Sequence, residues 1–432
     1  MLAIRSAYLS FRANPFEVPF EEATEYTSDA LIMIDDAGRV TSVGSAPELL
    51  PQLPPGTEIH HYPHHLVIPG FVDTHVHYSQ TQMIAAYGEQ LLDWLREYTY
   101  ATELQFENPQ HAAAVARVFL DEQLRNGTTT SAVYATVFPQ SVDAIFKEAR
   151  ERGMRLIAGK VAMDRGAPAG LLDTPQRAYA ESAELIARWH GTDRLEYAIT
   201  PRFAPTSSRE QLEALGQLAH ENPTALIQTH VSENPAEVAL VAELFPERAG
   251  YLDVYDHYGL VRPRAIFGHG IHLTDAELAT LAERGAAIAH CPTSNFFLGS
   301  GALNVQRAAD AGVRLALGTD LGAGTSFSMI RTLGAAYSAA QANGVALDAG
   351  RALYLATRGG AEALGLGEKI GQIAPGFEAD LAVLDLHSTP IIEYRMQFAD
   401  TLREALFIQM TMGDDRAIAA TYVAGRRAYT RE

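Results

Sequence analysis

The sequence predicts an α/β protein: a (β/α)8 TIM-like barrel with a small β-sandwich built from the N- and C-terminal segments. In residues 67–370, short apolar runs alternate with helical stretches, the pattern of repeated βα units. Eight such runs occupy roughly 280 residues, which is the size of a (β/α)8 barrel. Residues 1–66 and 371–432 instead carry short β-type runs between turns. Neither end has enough strands to be stable alone, so we expect the two to combine into one small domain.

The amino-terminal segment is predicted to contain a β-hairpin. Apolar residues 30–34 and 40–43 alternate with polar ones, and Asp36–Gly38 supplies the turn. A group of histidines follows around Tyr62 and Pro63, at His60, His61, His64 and His65. Their spacing fits no metal site, and we interpret them as solvated strand ends.

The predicted barrel strands are short and apolar, and most end in polar residues. They are residues 66–74, 128–134, 155–163, 195–204, 225–231, 265–269, 286–291 and 314–319. Among the intervening helices, residues 234–237 and 274–277 both read as capping boxes, and Pro235 suits the first helical position.

The first predicted connection, residues 78–127, is longer than a βα unit needs. We expect its segments 91–95 and 98–106 to cover the barrel mouth. Two further helices, at 326–341 and 347–366, precede the carboxy-terminal β segment, which ends in a hairpin at 423–426.

Composition narrows the classes of partner. The 432 residues are 47% hydrophobic and carry 33 basic and 52 acidic side chains, a net charge of −19. Such a surface repels nucleic acid and anionic membranes, which favours a small uncharged partner. Cys291 is the single cysteine, the first residues lack the apolar core of a signal peptide, and no run of 18 apolar residues occurs. The expected location is therefore the cytoplasm.

Metal-binding and titratable residues concentrate at the ends of the predicted strands, where (β/α)8 barrels carry their active sites. They are His75 and His77 after strand 1, Arg202 and Phe203 after strand 4, His230 and Glu233 after strand 5, His269 after strand 6, His290 and Cys291 after strand 7, and Asp320 after strand 8. The His-x-His pair alone is a weak signal, although residues i and i+2 of a strand share one face. Three histidines and one carboxylate suit Zn²⁺ or Fe²⁺, which lowers the pKa of a bound water.

The remaining residues at these ends suggest proton-transfer roles. Asp320 can ligate the ion and accept a proton from water, and His269 is placed to hydrogen-bond that water. Glu237 already completes a capping box, so Glu233 is free to act as a general acid; a solvated loop carboxylate is the alternative. Cys291 is a further candidate ligand, but four ligands are already available, which favours a buried thiol.

Nine segments carry a resemblance to the amidohydrolase superfamily and, within it, to its mononuclear zinc deaminases. The histidine and aspartate pattern is shared widely, whereas the LLDWL, TPRF and CPTSN-xx-LGSG segments are much narrower. The segments are PGFVDTHVHYSQ (69–80), LLDWLREYTYATE (91–103), MDRGAPAGLLDTP (163–175), TPRFAPTSS (200–208), THVSEN (229–234), HG (269–270), HCPTSNFFLGSG (290–301), LGTDLGAGTSFSM (317–329) and YLATRGGAEALGL (354–366).

The resemblance implies hydrolytic deamination of guanine to xanthine and ammonia by a homodimer. One zinc ion would be held by His75, His77, His230 and Asp320, with Glu233 as proton shuttle and His269 assisting the water. Gln80, Arg202 and Phe203 would hold the purine, next to His77, His230, Glu233 and Asp320. The chemistry agrees, because a guanidinium can bind the C6 carbonyl with two donors and Phe203 can stack on the ring.

A single metal ion is expected for a further reason. Binuclear members of the superfamily bridge two metals with a carboxylated lysine at the end of strand 4, which here is Thr200-Pro201-Arg202. The chain has only three lysines, and only one of them falls on a barrel strand: Lys147, Lys160 and Lys369.

Two other functions remain open. The same fold and metal could act on another aminated or halogenated heterocycle, such as a triazine, pterin, cytosine or adenosine-type compound, although Arg202 and Phe203 argue against it. The chain could also be a catalytically inactive interaction protein, but such a protein is expected to have lost metal ligands, and all four are present.

Overall fold

The structure is a computed structural model that describes residues 1–88 and 90–432. Within these residues the strands lie in two sheets, one from the ends of the chain and one from its middle. In chain order they are β1 (Leu2–Phe11), β2 (Thr24–Ile34), β3 (Val40–Ser45), β4 (Glu58–Pro69), β5 (Phe71–His77), β6 (Thr128–Tyr134), β7 (Arg155–Gly159), β8 (Val161–Ala162), β9 (Leu195–Pro201), β10 (Leu226–Val231), β11 (Ala265–His269), β12 (Ala287–His290), β13 (Arg314–Leu317), β14 (Leu381–Asp385), β15 (Ile418–Val423) and β16 (Arg426–Thr430).

Most of the helices lie in the connections of the barrel and pack their apolar faces on its strands, and the others belong to the terminal segments. None of them, in the part of the chain that the structure describes, is long and apolar enough to cross a membrane. They are α1 (Phe20–Ala23), α2 (Ala46–Leu49), α3 (Leu91–Trp94), α4 (Tyr100–Leu104), α5 (Pro109–Arg125), α6 (Pro139–Arg152), α7 (Pro175–Trp189), α8 (Arg209–Glu221), α9 (Pro235–Leu244), α10 (Tyr251–His257), α11 (Asp275–Arg284), α12 (Pro292–Phe297), α13 (Val305–Asp310), α14 (Met329–Ala342), α15 (Ala349–Leu355), α16 (Arg358–Ala363), α17 (Pro390–Met396) and α18 (Leu402–Met412).

The middle sheet confirms the predicted α/β barrel. Its strands pair in parallel in the order β5-β6-β7-β9-β10-β11-β12-β13, and β8 pairs with β9. These strands are almost entirely buried, as expected for parallel strands covered by helices. Both predicted capping boxes are present, at the starts of α9 and α11.

Two predicted elements are interrupted. The third barrel strand breaks at Lys160, whose backbone N–H donates to the Tyr197 hydroxyl at 3.2 Å instead of continuing a ladder. The predicted helix 347–366 is two helices, α15 and α16, because Thr357 has non-helical backbone angles and its hydroxyl donates to the Leu353 carbonyl. Side-chain bonds of this kind compete with regular backbone pairing.

The barrel closes where its first strand meets its last. The Thr74 hydroxyl donates to the Leu317 carbonyl at 2.8 Å, and the Asp320 N–H donates to the His75 carbonyl at 2.8 Å. One carboxylate oxygen of the buried Asp73 accepts the Thr319 N–H at 2.9 Å. These bonds bring the two ends of the barrel sequence together at the carboxyl ends of the strands.

The ends of the chain form the second sheet, in the order β16-β15-β14-β4-β1-β2-β3. Both predicted hairpins are present, β2 with β3 and β15 with β16. The histidines at 60–65 lie on β4, and the His60 ring contacts the Tyr422 hydroxyl and the Glu58 carboxylate. The exact domain limits, 1–66 plus 371–432 against 67–370, stay a prediction.

A buried ion-pair cluster connects the terminal segments to the barrel. Glu378, just before β14, accepts hydrogen bonds from Arg155 at 2.6 and 3.0 Å and from Arg194 at 2.6 and 3.1 Å. Arg194 also pairs with Asp380. Arg155 begins β7 and Arg194 precedes β9, so the cluster lies at the amino ends of barrel strands.

Replacing Glu378 with Gln is expected to lower the free energy of unfolding by about 2 kcal/mol, because Arg155 and Arg194 lose their shared carboxylate and keep only Glu196 and Asp380, respectively, as counter-charges. Urea unfolding followed by circular dichroism measures the loss. Glu247→Gln is the matched control, since its ion pair with Arg209 is solvent-exposed and screened. Equal stability of the two variants would contradict the prediction.

Candidate active site

One cavity lies at the carboxyl ends of the barrel strands, with about 390 Å³ of space that no protein atom fills. Its walls bring together residues from both halves of the barrel sequence. The predicted site residues that line it are His77, Gln80, Arg202, Phe203, His230, Glu233, His269 and Asp320. His75 is fully buried directly beside them, with its ring 4.7 Å from that of His230.

Several possible ligand atoms for a cation lie close together in the cavity, among them those of His75 with His230 and of His75 with Asp320. The Nε2 atoms of His77 and His230 are 3.1 Å apart, and Asp320 Oδ1 is 3.5 Å from Nε2 of both His75 and His77. Ligands bound tetrahedrally at about 2.1 Å would be separated by roughly 3.4 Å. These three separations are compatible with ligands of one ion.

The protonation of the imidazoles agrees with this arrangement. His230 Nδ1 donates to the Arg202 carbonyl at 2.7 Å, which leaves the Nε2 lone pair directed at the cavity. In the described residues, both ring nitrogens of His75 and Nδ1 of His77 are buried without a hydrogen-bond partner. Burial lowers the pKa of all three histidines, so they are neutral and able to donate electron pairs. Of these nitrogens, the unpartnered Nε2 of His75 faces Asp320 Oδ1 and fits a metal ligand.

Two glycines make room for His75. A methyl group on Gly268 would lie 2.4 Å from the His75 ring, and one on Gly318 would lie 2.7 Å from its Cβ atom. Neither contact is compatible with the present position of the imidazole. Glycine at these two positions, on β11 and after β13, is thus a steric requirement for the position of His75.

Glu233 and His269 form the acid–base part of the site. His269 Nδ1 contacts the Asn295 side-chain oxygen at 2.8 Å, so Nδ1 carries the proton and Nε2 faces Glu233 Oε2 at 3.4 Å. Burial raises the pKa of Glu233 to about 7, while the Ser300 hydroxyl donates to its other oxygen at 3.2 Å. A carboxyl group with this pKa exchanges protons readily at neutral pH.

Asp320 remains ionised. Burial acts to raise its pKa, but the surrounding imidazoles of His75, His269 and His77 together outweigh burial and lower the pKa below the usual range. Its backbone lies in the left-handed region at φ 47°, as does that of His269 at φ 73° and of Ser232 at φ 49°. Non-glycine residues seldom adopt this conformation, and they cluster at functional sites when they do.

The predicted purine-binding residues Gln80, Arg202 and Phe203 line the same cavity as the histidine cluster. Arg202 is buried, and its Nη1 donates to both carboxylate oxygens of Glu103 at 2.8 and 2.7 Å. The Phe203 ring is 6.3 Å from the His230 ring, and Gln80 follows β5 in a short 3-10 turn.

Cys291 and His290 differ in their access to the site. The possible ligand atoms of Cys291, His75 and Asp320 lie within 4.8 Å of one another. However, burial raises the pKa of the Cys291 thiol, and its Sγ contacts the Ala289 carbonyl. A neutral thiol is a poor metal ligand. His290 is buried outside the cavity wall, and burial lowers its pKa to about 3.

Sequence reasoning did not assign roles to several residues of the site. Glu103 accepts hydrogen bonds from Arg202, the Asn295 side chain contacts His269, and the Ser300 hydroxyl donates to Glu233. All three occur in segments that carry the resemblance, but spacing alone could not pair them with partners up to 99 residues away. Leu91, Trp94 and Leu95 cover the mouth, as expected for the long first connection.

The chain matches known proteins along its whole length. Residues 66–428 match the family described as the amidohydrolase family. Guanine deaminase of Escherichia coli (strain K12) is 46% identical over 432 residues, with 99% of this chain and 98% of that protein covered.

Solved structures agree with this match. The structure described as E. coli guanine deaminase superposes with a TM-score of 0.97 at 45% identity and full coverage of both chains. A structure described as guanine deaminase from C. acetobutylicum with bound guanine in the active site has a TM-score of 0.88 at 28% identity, with 98% and 99% covered. The fold, the site and the sequence lead to one conclusion: this chain is a member of the amidohydrolase family.

Proposed function

We propose that this enzyme is a zinc-dependent hydrolase that converts guanine and water to xanthine and ammonia. The observation that carries the proposal is the convergence of three imidazoles and Asp320 beside a buried Glu233, with Arg202 lining the same cavity. The similar proteins described as guanine deaminases support the choice of substrate.

His75, His77, His230 and Asp320 would hold the single metal ion. Zinc suits this nitrogen and oxygen set and, when bound, lowers the pKa of water and polarises the substrate. His269 is less suited as a ligand, because its Nδ1 is tied to Asn295 and its Nε2 faces Glu233. Iron(II) binds similar ligands, so metal analysis decides between the two.

The protein residues divide the proton transfers. Water adds to C2 of the purine; Asp320 accepts its proton, and the Nε2 side of His269 orients the attacking oxygen. Glu233, protonated through its raised pKa, donates to N3 as the tetrahedral carbon forms. Glu233, now ionised, takes the remaining proton from the oxygen on C2 and passes it to the amino nitrogen. The C2–N bond breaks as C2 becomes a carbonyl, ammonia leaves, and the proton held by Asp320 returns to Glu233.

Purine recognition would involve Gln80, Arg202 and Phe203, which line the same cavity. Arg202 would donate to the C6 carbonyl, Gln80 would bind a polar edge of the ring, and Phe203 would pack against its face. An adenine-type substrate presents an amino group at C6, which does not accept hydrogen bonds from a guanidinium. This contact therefore disfavours the alternative of an adenosine-type substrate.

We also propose that the enzyme is a cytoplasmic homodimer. Exposed apolar side chains on and beside α17 and α18, namely Ile391, Tyr394, Phe398 and Phe407, support association of two copies. The buried thiol of Cys291 suits a reducing compartment. A sedimentation mass equal to the 46.9 kDa of one chain would refute the dimer, and recovery outside the cytoplasmic fraction would refute the location.

The purified protein is expected to release xanthine and ammonia from guanine and to contain about one zinc per chain. Ultraviolet absorbance follows the conversion, and metal analysis of the same sample gives the zinc content. A panel of triazines, pterins, cytosine and adenosine tests the alternative. Faster ammonia release from any of these than from guanine would overturn the proposed substrate.

Gly268→Ala provides a structural control for the metal. The added methyl group would meet the His75 ring, so the variant is expected to lose zinc and turnover together while circular dichroism stays unchanged. Gly44→Ala is the matched comparison, because its backbone is not in the left-handed region and a methyl group there would meet only the Leu49 side chain, at an ordinary contact distance of 3.5 Å. Full zinc content in Gly268→Ala would contradict the assigned ligand set.

Glu233→Gln is expected to keep zinc and lower kcat for guanine by about a thousandfold or more, since the amide cannot donate and regain the transferred proton. Steady-state kinetics and metal analysis on one sample separate this effect from loss of the ion. Turnover close to that of the wild type would remove Glu233 from the mechanism.

A further inference from the structure

The helical segment over the cavity contains an irregular turn. Residues 95–99 form a π turn between α3 and α4, with i→i+5 hydrogen bonds in place of i→i+4. In an unbroken α-helix, Glu103 would lie about 80° around the axis from Leu95. The wider turn corrects this offset, and Glu103 becomes fully buried on the inward side with Leu91 and Leu95.

Glu103 makes a specific contact at that position. Both of its carboxylate oxygens accept from Nη1 of Arg202, at 2.8 and 2.7 Å, and the Tyr100 ring lies 5.8 Å from the same guanidinium. Among the described residues, hydrogen bonds from the Arg202 side chain involve Nη1 alone. The Nε and Nη2 groups are therefore left for a molecule in the cavity.

The pair also sets the charge of the recognition group. Arg202 and Glu103 side chains are 3% and 0% exposed, so an unpaired guanidinium here would be costly and would attract anions. Because Glu103 balances its charge, Arg202 offers N–H donors to the cavity as part of an ion pair that has no net charge. That arrangement suits the carbonyl of a neutral heterocycle.

We propose that Glu103 is a positioning residue that fixes Arg202 for the 6-oxo group of the purine and connects this contact to the helical segment over the cavity. This inference rests on the proposed guanine chemistry. It predicts that Glu103 matters for purines with an oxygen at C6 and much less for purines without one.

The test compares guanine with 2-aminopurine, which has the same ring and 2-amino group but no oxygen at C6. Glu103→Gln is expected to raise KM for guanine about 10- to 100-fold, the equivalent of one hydrogen bond to a charged group. The inhibition constant of 2-aminopurine against guanine turnover, kcat and zinc content should each stay within about threefold of the wild type. Glu97→Gln, an exposed acid on the same segment, is the matched control and should change none of them.

Each outcome decides the question. An equal weakening of both purines, loss of zinc, or an unchanged KM for guanine would each overturn the positioning role. If Glu103→Gln does not fold, Glu103→Asp keeps the charge but shortens the side chain. It should weaken guanine selectively, and a loss shared by both purines would again refute the proposal. A wild-type enzyme that leaves guanine unchanged would refute the proposed function itself, whereas an active wild type with an indifferent Glu103 refutes only this inference.

Discussion

The junction between β5 and β13 is the constraint on which the site depends. The Asp320 N–H donates to the His75 carbonyl, and Thr319 and Thr74 add bonds across the same junction. These contacts place the carboxylate from the end of the barrel sequence against the imidazole from its start. A barrel that failed to close here would separate ligands that are 245 positions apart in the chain.

The two ends of the barrel carry different kinds of charge. At the amino ends of the strands, Glu378 pairs with both Arg155 and Arg194 and so attaches the terminal segments to the barrel. At the carboxyl ends, imidazoles and the carboxylate of Asp320 face a cavity. Charges satisfied within the protein add stability, whereas groups left without protein partners remain available to an ion and a substrate.

Sequence patterns predicted the barrel because buried parallel strands and capped helices leave local signals, such as the capping boxes at Asn234 and Thr274. They also predicted which side chains would meet, since parallel strands end at one edge. The sequence patterns could not predict the pairing of Glu103 with Arg202, because this pairing depends on a π turn that no residue pattern indicates. The breaks at Lys160 and Thr357 likewise follow from side-chain hydrogen bonds that form only in the folded chain.

The left-handed backbone at His269 and Asp320 limits what evolution can place there. Histidine, aspartate and asparagine are the non-glycine residues found most often in that conformation. Only a fraction of those residues can also exchange protons or bind a cation. At these two positions the main chain and the chemistry select the same side chains: a β-branched aliphatic residue is disfavoured on both grounds, and glutamate is disfavoured by the main chain alone.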